Sequence, residues 1–159
     1  MVRFKNRWIL VEFIPIVHGD SQLGKQSTSS PPLDGKTIWA ALKQSVLTNF
    51  GDTGWGAVGL SLTVKYFSPT TNLCIIRVAR DQHKIAWGAL TLLTSVEGEK
   101  CIPNVIHISG TIKHAQLAAI AHNREIIARY RALAKTSVFD DGYETFLENS
   151  SREIDALQD

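Results

Sequence analysis

Residues 9–14, ILVEFI, constrain this chain more than any other stretch. Only Glu12 is polar there, so a strand made from these residues is apolar on both faces and needs a covering layer on each. That predicts a central strand of a sheet with helices above and below it. A membrane segment is excluded by length, since a span takes about 20 apolar residues. A secretory leader is not expected either: Glu12 interrupts the run, and no small-residue cleavage pattern follows around residues 18–21.

The order of elements follows from periodicity. Residues 19–33, beginning GDSQLGKQSTSSPP, read as a flexible insertion. Asp34 is a good N-cap for a helix over residues 35–50, with Ile38, Leu42, Val46 and Phe50 at four-residue spacing, Lys36 and Lys43 turned away, and Gly51 as its stop. Residues 57–66 alternate between Val58, Leu60, Leu62, Val64, Tyr66 and more polar neighbours, which predicts a second strand. A turn at Ser68, Pro69 and Asn72 leads into a third strand over residues 73–80, antiparallel to the second because the connection is too short for a crossover. Asp81 is expected to cap a second helix with Ile85, Ala89, Leu92 and Val96 along one stripe, ended by Gly98. Residues 102–109 form a fourth strand, and Gly110 and Thr111 turn the chain into a long helix over residues 112–134.

Strand, helix, strand, strand, helix, strand with right-handed crossovers is the ferredoxin-like arrangement of RNA-recognition motifs. It is an α+β fold with a four-stranded antiparallel sheet and strands one and three in the middle. Two helices cover one face, and the added third helix covers the other. A chain of 159 residues suits a single core. The division expected is a ferredoxin-like RNA-binding domain over residues 1–138 and an acidic tail over 139–159.

Charge supports that division. The tail holds seven acids against Arg152 alone, a balance of −6, while the preceding residues carry 16 cations against 8 anions. A basic body suggests a polyanion partner, and an acidic tail either avoids it or meets a basic protein. In front of the first strand Arg3, Lys5 and Arg7 alternate with Val2, Phe4 and Asn6. In an extended chain the three cations project from one side about 6 to 7 Å apart, close to the phosphate spacing of a nucleic-acid strand. Arg77 and Arg80 on strand three, with Lys113 and His114 in the first turn of the third helix, extend the set. That turn offers free backbone amides and the positive end of a helix dipole to a phosphate. Leu73, Ile75, Ile76 and Val78 of strand three are aliphatic, which excludes base stacking on an open sheet.

Catalytic and cofactor readings fare poorly. Gly19, Gly24 and Lys25 match part of a phosphate-binding loop, but Gln26 replaces the magnesium-binding hydroxyl, and Pro31 and Pro32 break the helix that should follow. Gly54, Gly56 and Gly59 spell G-x-G-x-x-G but lead into a strand, the wrong context for a dinucleotide. No carboxylate pair has a spacing suited to acid and base work. Cys74, His83, Cys101 and His107 match no zinc pattern, and His114 and His122 are too far apart on one helix to chelate. The two histidines read as surface or partner-facing groups, and the two cysteines as buried thiols. No metal or cofactor is expected. Trp8, Trp39 and Trp55 read as core or near-core, whereas Trp87 lies off the stripe of its helix and could present a protein-docking face. In the tail, Phe139, Tyr143, Phe146 and Leu147 allow either an amphipathic helix that docks on a partner or disorder.

Four segments, MVRFKNRWILVE at the start, CIIRVARDQHK with the WGAL that follows, SGTIKHAQ and AHNREIIARY, together resemble the small protein subunit shared by ribonuclease P and ribonuclease MRP, the component-2 family of archaea and eukaryotes. The likeness spans residues 1 to about 135 and leaves out residues 19–32 and the acidic tail. It implies a non-catalytic subunit of a nuclear particle whose RNA cleaves precursor tRNA at its 5′ end, and of the related MRP particle that processes precursor ribosomal RNA. It also implies a larger barrel-fold protein subunit as partner, and Arg3, Lys5 and Arg7 as contacts to the RNA core, with Arg77, Arg80 and Lys113 beside them. A ferredoxin-like module that binds only protein is the competing expectation.

Overall fold

The computed structural model describes residues 4–16, 33–134 and 142–158; Arg3, the insertion over residues 19–32 and Phe139 lie outside them. The first strand, β1 (Asn6–Pro15), pairs antiparallel with β3 (Leu73–Ala79) on one side and β5 (Glu99–Ser109) on the other. The edge strand β2 (Thr63–Ser68) pairs with β3, giving the ferredoxin-like order β2-β3-β1-β5 with the predicted strands one and three in the middle. The sheet has five strands rather than four. Its addition, β4 (Ser95–Val96), joins β5 through a two-residue turn at Glu97 (φ 50°) and Gly98 (φ 84°). Two successive left-handed residues give the twist a tight hairpin needs. Gly98 is thus a hairpin turn and not a helix stop, and two residues are too few for periodicity to reveal a strand.

Both faces of β1 are covered. Ile9, Val11 and Phe13 point into a core with Ile38, Leu42 and Val46 of α1 (Gly35–Val58) and Ala86, Ala89 and Leu90 of α2 (His83–Thr91). Trp8 and Leu10 point the other way, into a second core with Ile75, Tyr66 and Ala115 and Ala119 of α3 (Ile112–Ala134). Ile154 of α4 (Tyr143–Asp155) completes that second core. The acidic segment therefore forms an amphipathic helix docked on the chain's own body.

Several boundaries differ from expectation. The Asp34 cap is present, with its carboxylate accepting from the Gly35 N–H at 2.6 Å and Thr37 closing the capping box. Gly51, however, bends α1 instead of stopping it: its φ of 65° and ψ of −168° kink the backbone, and the helix resumes to Val58. Burial of Val58 and Gly54 overrides the poor helix propensity of the glycine-rich segment. A Cβ on Gly54 would collide with Phe50. The second strand therefore starts at Thr63, not at residue 57, and the G-x-G-x-x-G glycines fall in the helix and the turn after it. The kink also returns Trp55 to within 5.7 Å of Trp39, edge to face, with the Lys43 ammonium over both rings.

Asp81 does not cap α2. It sits in a 3₁₀ turn over Arg80–Gln82 and pairs with Arg80 at 3.0 Å. The helix is shorter than predicted. It ends at Thr91, so Leu92 is exposed and Val96 belongs to β4, while Ala86, Ala89 and Leu90 form the buried stripe. His122 is not a surface group either; its ring meets Glu12 at 3.1 Å.

Candidate nucleic-acid interface

β1 enters the sheet where β3 leaves it. The Arg80 N–H donates to the Lys5 carbonyl at 2.8 Å, and Asn6 faces Ala79, so Lys5, Arg7 and Arg80 reach the same end of the sheet. β5 ends there too, with Ser109 opposite Trp8. The chain then turns through Gly110 and Thr111 into α3. This turn is fixed locally, since the Ser109 hydroxyl donates to the Thr111 carbonyl at 2.8 Å.

These elements enclose a recess of about 530 Å³ lined by Phe4, Lys5, Asn6, Arg7, Arg80 and the Gly110–Thr111–Ile112 turn. Arg7 contributes its guanidinium to the lining. Its guanidinium donates to the Asn6 carbonyl at 3.2 Å and passes so close to Gly110 that a Cβ there would stand 3.2 Å from Nη1. A side chain at that position would press on the guanidinium end. Among the described residues, neither Lys5 nor Arg7 has a carboxylate within ion-pair distance. Arg80 has Asp81, in a solvent-exposed pair of the kind worth little in water.

The other nominated cations stand apart from the recess. Arg77 faces Trp8 and Thr63 across the strands, and alternation puts it on the α3 side of the sheet, like Ile75. Lys113 is one residue beyond the recess wall, where its ammonium lies 3.5 Å from Asp155 of α4. His114 is exposed, with its backbone N–H 3.5 Å from the Thr111 hydroxyl. Arg3 lies outside the described residues. Sequence reasoning did not single out Asp155 or the closeness of Gly110 to Arg7; both arise from pairing elements far apart in the chain.

Bases have no route to the middle of the sheet. Leu10, Leu73 and Ile75 are fully buried beneath α3 and α4. Burial pushes the Cys74 thiol far above its usual range and raises the Cys101 thiol as well. Burial also raises the Tyr66 phenol, with the Glu153 carboxylate adding to the effect. None of these groups is poised as a nucleophile. Among the described residues, no three His, Cys, Asp or Glu side chains gather to hold a metal ion, and no helix is long and apolar enough to cross a membrane.

Residues 7–120 match the model of the family described as Rpp14/Pop5. The chain belongs to the Rpp14/Pop5 family. The matched segment runs from Arg7 of the recess through the first third of α3, so it includes the first core and all of the second but Ile154. A curated member from Schizosaccharomyces pombe, "Ribonuclease P/MRP protein subunit POP5", is 40% identical over 137 residues, covering 80% of this chain and 91% of its own. The Rpp14/Pop5 member of the same name from Homo sapiens is 27% identical over 128 residues, covering 78% of this chain and 73% of its own. A chain in the cryo-EM structure of yeast ribonuclease MRP superimposes with a TM-score of 0.51 over 98% of this chain and 95% of that one; at 11% identity the likeness is one of fold.

Proposed function

We propose that this Rpp14/Pop5 protein is a non-catalytic subunit of ribonuclease P, the particle that matures tRNA 5′ ends, and also of ribonuclease MRP, which processes precursor ribosomal RNA. Its work is to stabilise the folded catalytic RNA and to pair with a barrel-fold protein subunit, inside the nucleus. The names of its relatives support the particle. The observation that carries the RNA-binding role is the convergence of Lys5, Arg7 and Arg80 on one recess at the end of a sheet whose middle is sealed.

RNA phosphates are held by Arg3, Lys5 and Arg7, then Arg80, with Arg77, Lys113 and His114 at the margin. The RNA-binding body is residues 1–138. Such a site reads mainly backbone shape, because cations at strand ends reach phosphates and the strands described present no exposed aromatic, which leaves Phe4 at the rim as the one ring of the recess. Copurification tests the reading: a tagged chain should retain a long structured RNA at moderate salt, and sequencing that RNA identifies the particle. Replacing Arg3 and Lys5 together by alanine should flatten the salt dependence of RNA binding by about two phosphate contacts. An unchanged slope removes the terminus from the interface.

Protein pairing has its own support in Trp87, which is 45% exposed on α2, on the face opposite α3. A purely protein-binding module would retain protein partners and no RNA in the same experiment.

A further inference from the structure

We infer that Asp155 is an intramolecular rival of RNA phosphate for Lys113, so that the last turn of α4 sets how far the cationic surface extends along α3. The inference rests on the RNA-binding reading above and adds a regulating residue to it. Lys113 follows Ile112, the last residue of the recess wall, and would be its next cation. Instead its ammonium is turned to the Asp155 carboxylate, 3.5 Å away.

The backbone at Asp155 is held from several sides. Ile154 is fully buried, and the Gln116 side-chain amide donates to the carbonyls of Ile154 at 2.8 Å, Leu157 at 3.1 Å and Asp155 at 3.4 Å. Arg131 meets Glu144 at 2.9 Å at the other end of the helix. Undocking α4 would expose Trp8, Leu10 and Tyr66, so the helix stays in place when RNA arrives. The carboxylate alone is free to exchange. The side chains of Lys113 and Asp155 are 66% and 53% exposed, within reach of water and of a polyanion.

A long ion pair in water is weak and screened by salt. A phosphate in a nucleic-acid strand competes with it strongly, because each neutralised phosphate also releases condensed counterions. The outcome is graded: RNA must displace Asp155 to recruit Lys113, and the carbonyl end of α4 keeps a partial negative charge beside the site after displacement. The pair therefore reduces what a phosphate gains by recruiting Lys113 without closing that lysine to RNA.

The test measures binding of a fluorescein-labelled hairpin RNA to the full chain over a range of salt, with circular dichroism confirming the fold of every variant. Asp155→Asn should bind up to about 5-fold tighter at low salt, with a salt slope steeper by about one phosphate contact. Glu148→Gln removes the same charge from the same helix at a position with no ion-pair partner among the described residues, and should give a smaller gain with an unchanged slope. In a Lys113→Ala background the Asp155→Asn gain should shrink to that of Glu148→Gln, with no change in slope. Equal gains from Asp155→Asn and Glu148→Gln, or an Asp155→Asn gain undiminished by Lys113→Ala, would overturn the inference. Failure of the recess reading looks different: Lys5→Ala with Arg7→Ala would then bind like the wild type.

Discussion

His122 Nε2 lies 3.1 Å from Glu12 Oε2, tying α3 to the central strand with side chains only 11% and 16% exposed. The one polar residue in the apolar run of β1 thus finds its partner on the covering helix. Each partner left alone is a nearly buried polar group without its hydrogen bond. Glu12→Ala and His122→Ala should each cost about 1–3 kcal/mol. The double variant should lose less than the sum, with a coupling of about 0.5–3 kcal/mol in urea unfolding. Simple additivity would mean the two side chains do not interact in solution.

The closeness of Gly110 to Arg7 makes a second prediction. A methyl group at residue 110 would stand 3.2 Å from Arg7 Nη1, at the far end of a flexible side chain. Gly110→Ala should leave the thermal midpoint nearly unchanged, since the guanidinium end need give only by a few tenths of an ångström. RNA affinity at low salt should fall less than in Arg7→Ala, which gives up about one phosphate contact, a several-fold loss. Wild-type affinity in Arg7→Ala would remove this guanidinium from the interface.

Gly51 tests the kink in α1. Its φ of 65° with ψ of −168° is a conformation almost confined to glycine, and no neighbouring atom would obstruct a Cβ. Gly51→Ala should therefore cost about 1–3 kcal/mol from backbone strain alone. It should also disturb the Trp39–Trp55 pair, read as a loss of near-ultraviolet circular dichroism. A neutral substitution would mean that this backbone conformation is not required.

Burial pushes the Cys74 thiol far above its ordinary range, which gives stability a pH dependence of definite sign. Above about pH 8.5 the thiol of the unfolded chain ionises while the folded one stays protonated, so the unfolded state binds fewer protons and stability falls as pH rises. Below that range the thiol has no effect. Thermal midpoints taken between about pH 7 and pH 10 should fall, and Cys74→Ala should lower the whole curve while flattening its alkaline limb. An identical alkaline slope in the variant would exclude the thiol as the cause.

Much of this architecture was legible because it depends on short-range pattern. The apolar run of β1 demanded two covering layers, and both are present. The aliphatic strand Leu73–Ala79, the Asp34 cap and the Ile112–Ala134 helix are equally local signals, and they lie where periodicity and capping put them. The misread boundaries turn on packing and pairing that periodicity and capping rules do not register. Gly51 reads as a stop, but burial of Val58 pulls the chain back into a helix. Asp81 reads as a cap, but Arg80 claims its carboxylate. Two residues suffice for β4 because β5 is already there to pair with.

The candidate interface divides in the same way. Which residues carry charge, and that the basic ones precede strand one and end strand three, is written in the order of amino acids. That Lys5, Arg7 and Arg80 share one recess follows only from the antiparallel pairing of Asn6 with Ala79, and the place of Arg7 only from its approach to Gly110. Whether Lys113 is available was undecidable from its neighbours in the chain. A helix some thirty residues further on delivers Asp155 to it, because the apolar side of that helix has nowhere to hide except over Trp8, Tyr66 and Ile75. Local composition determines the elements and their charges. Burial of the faces left over decides which charges meet.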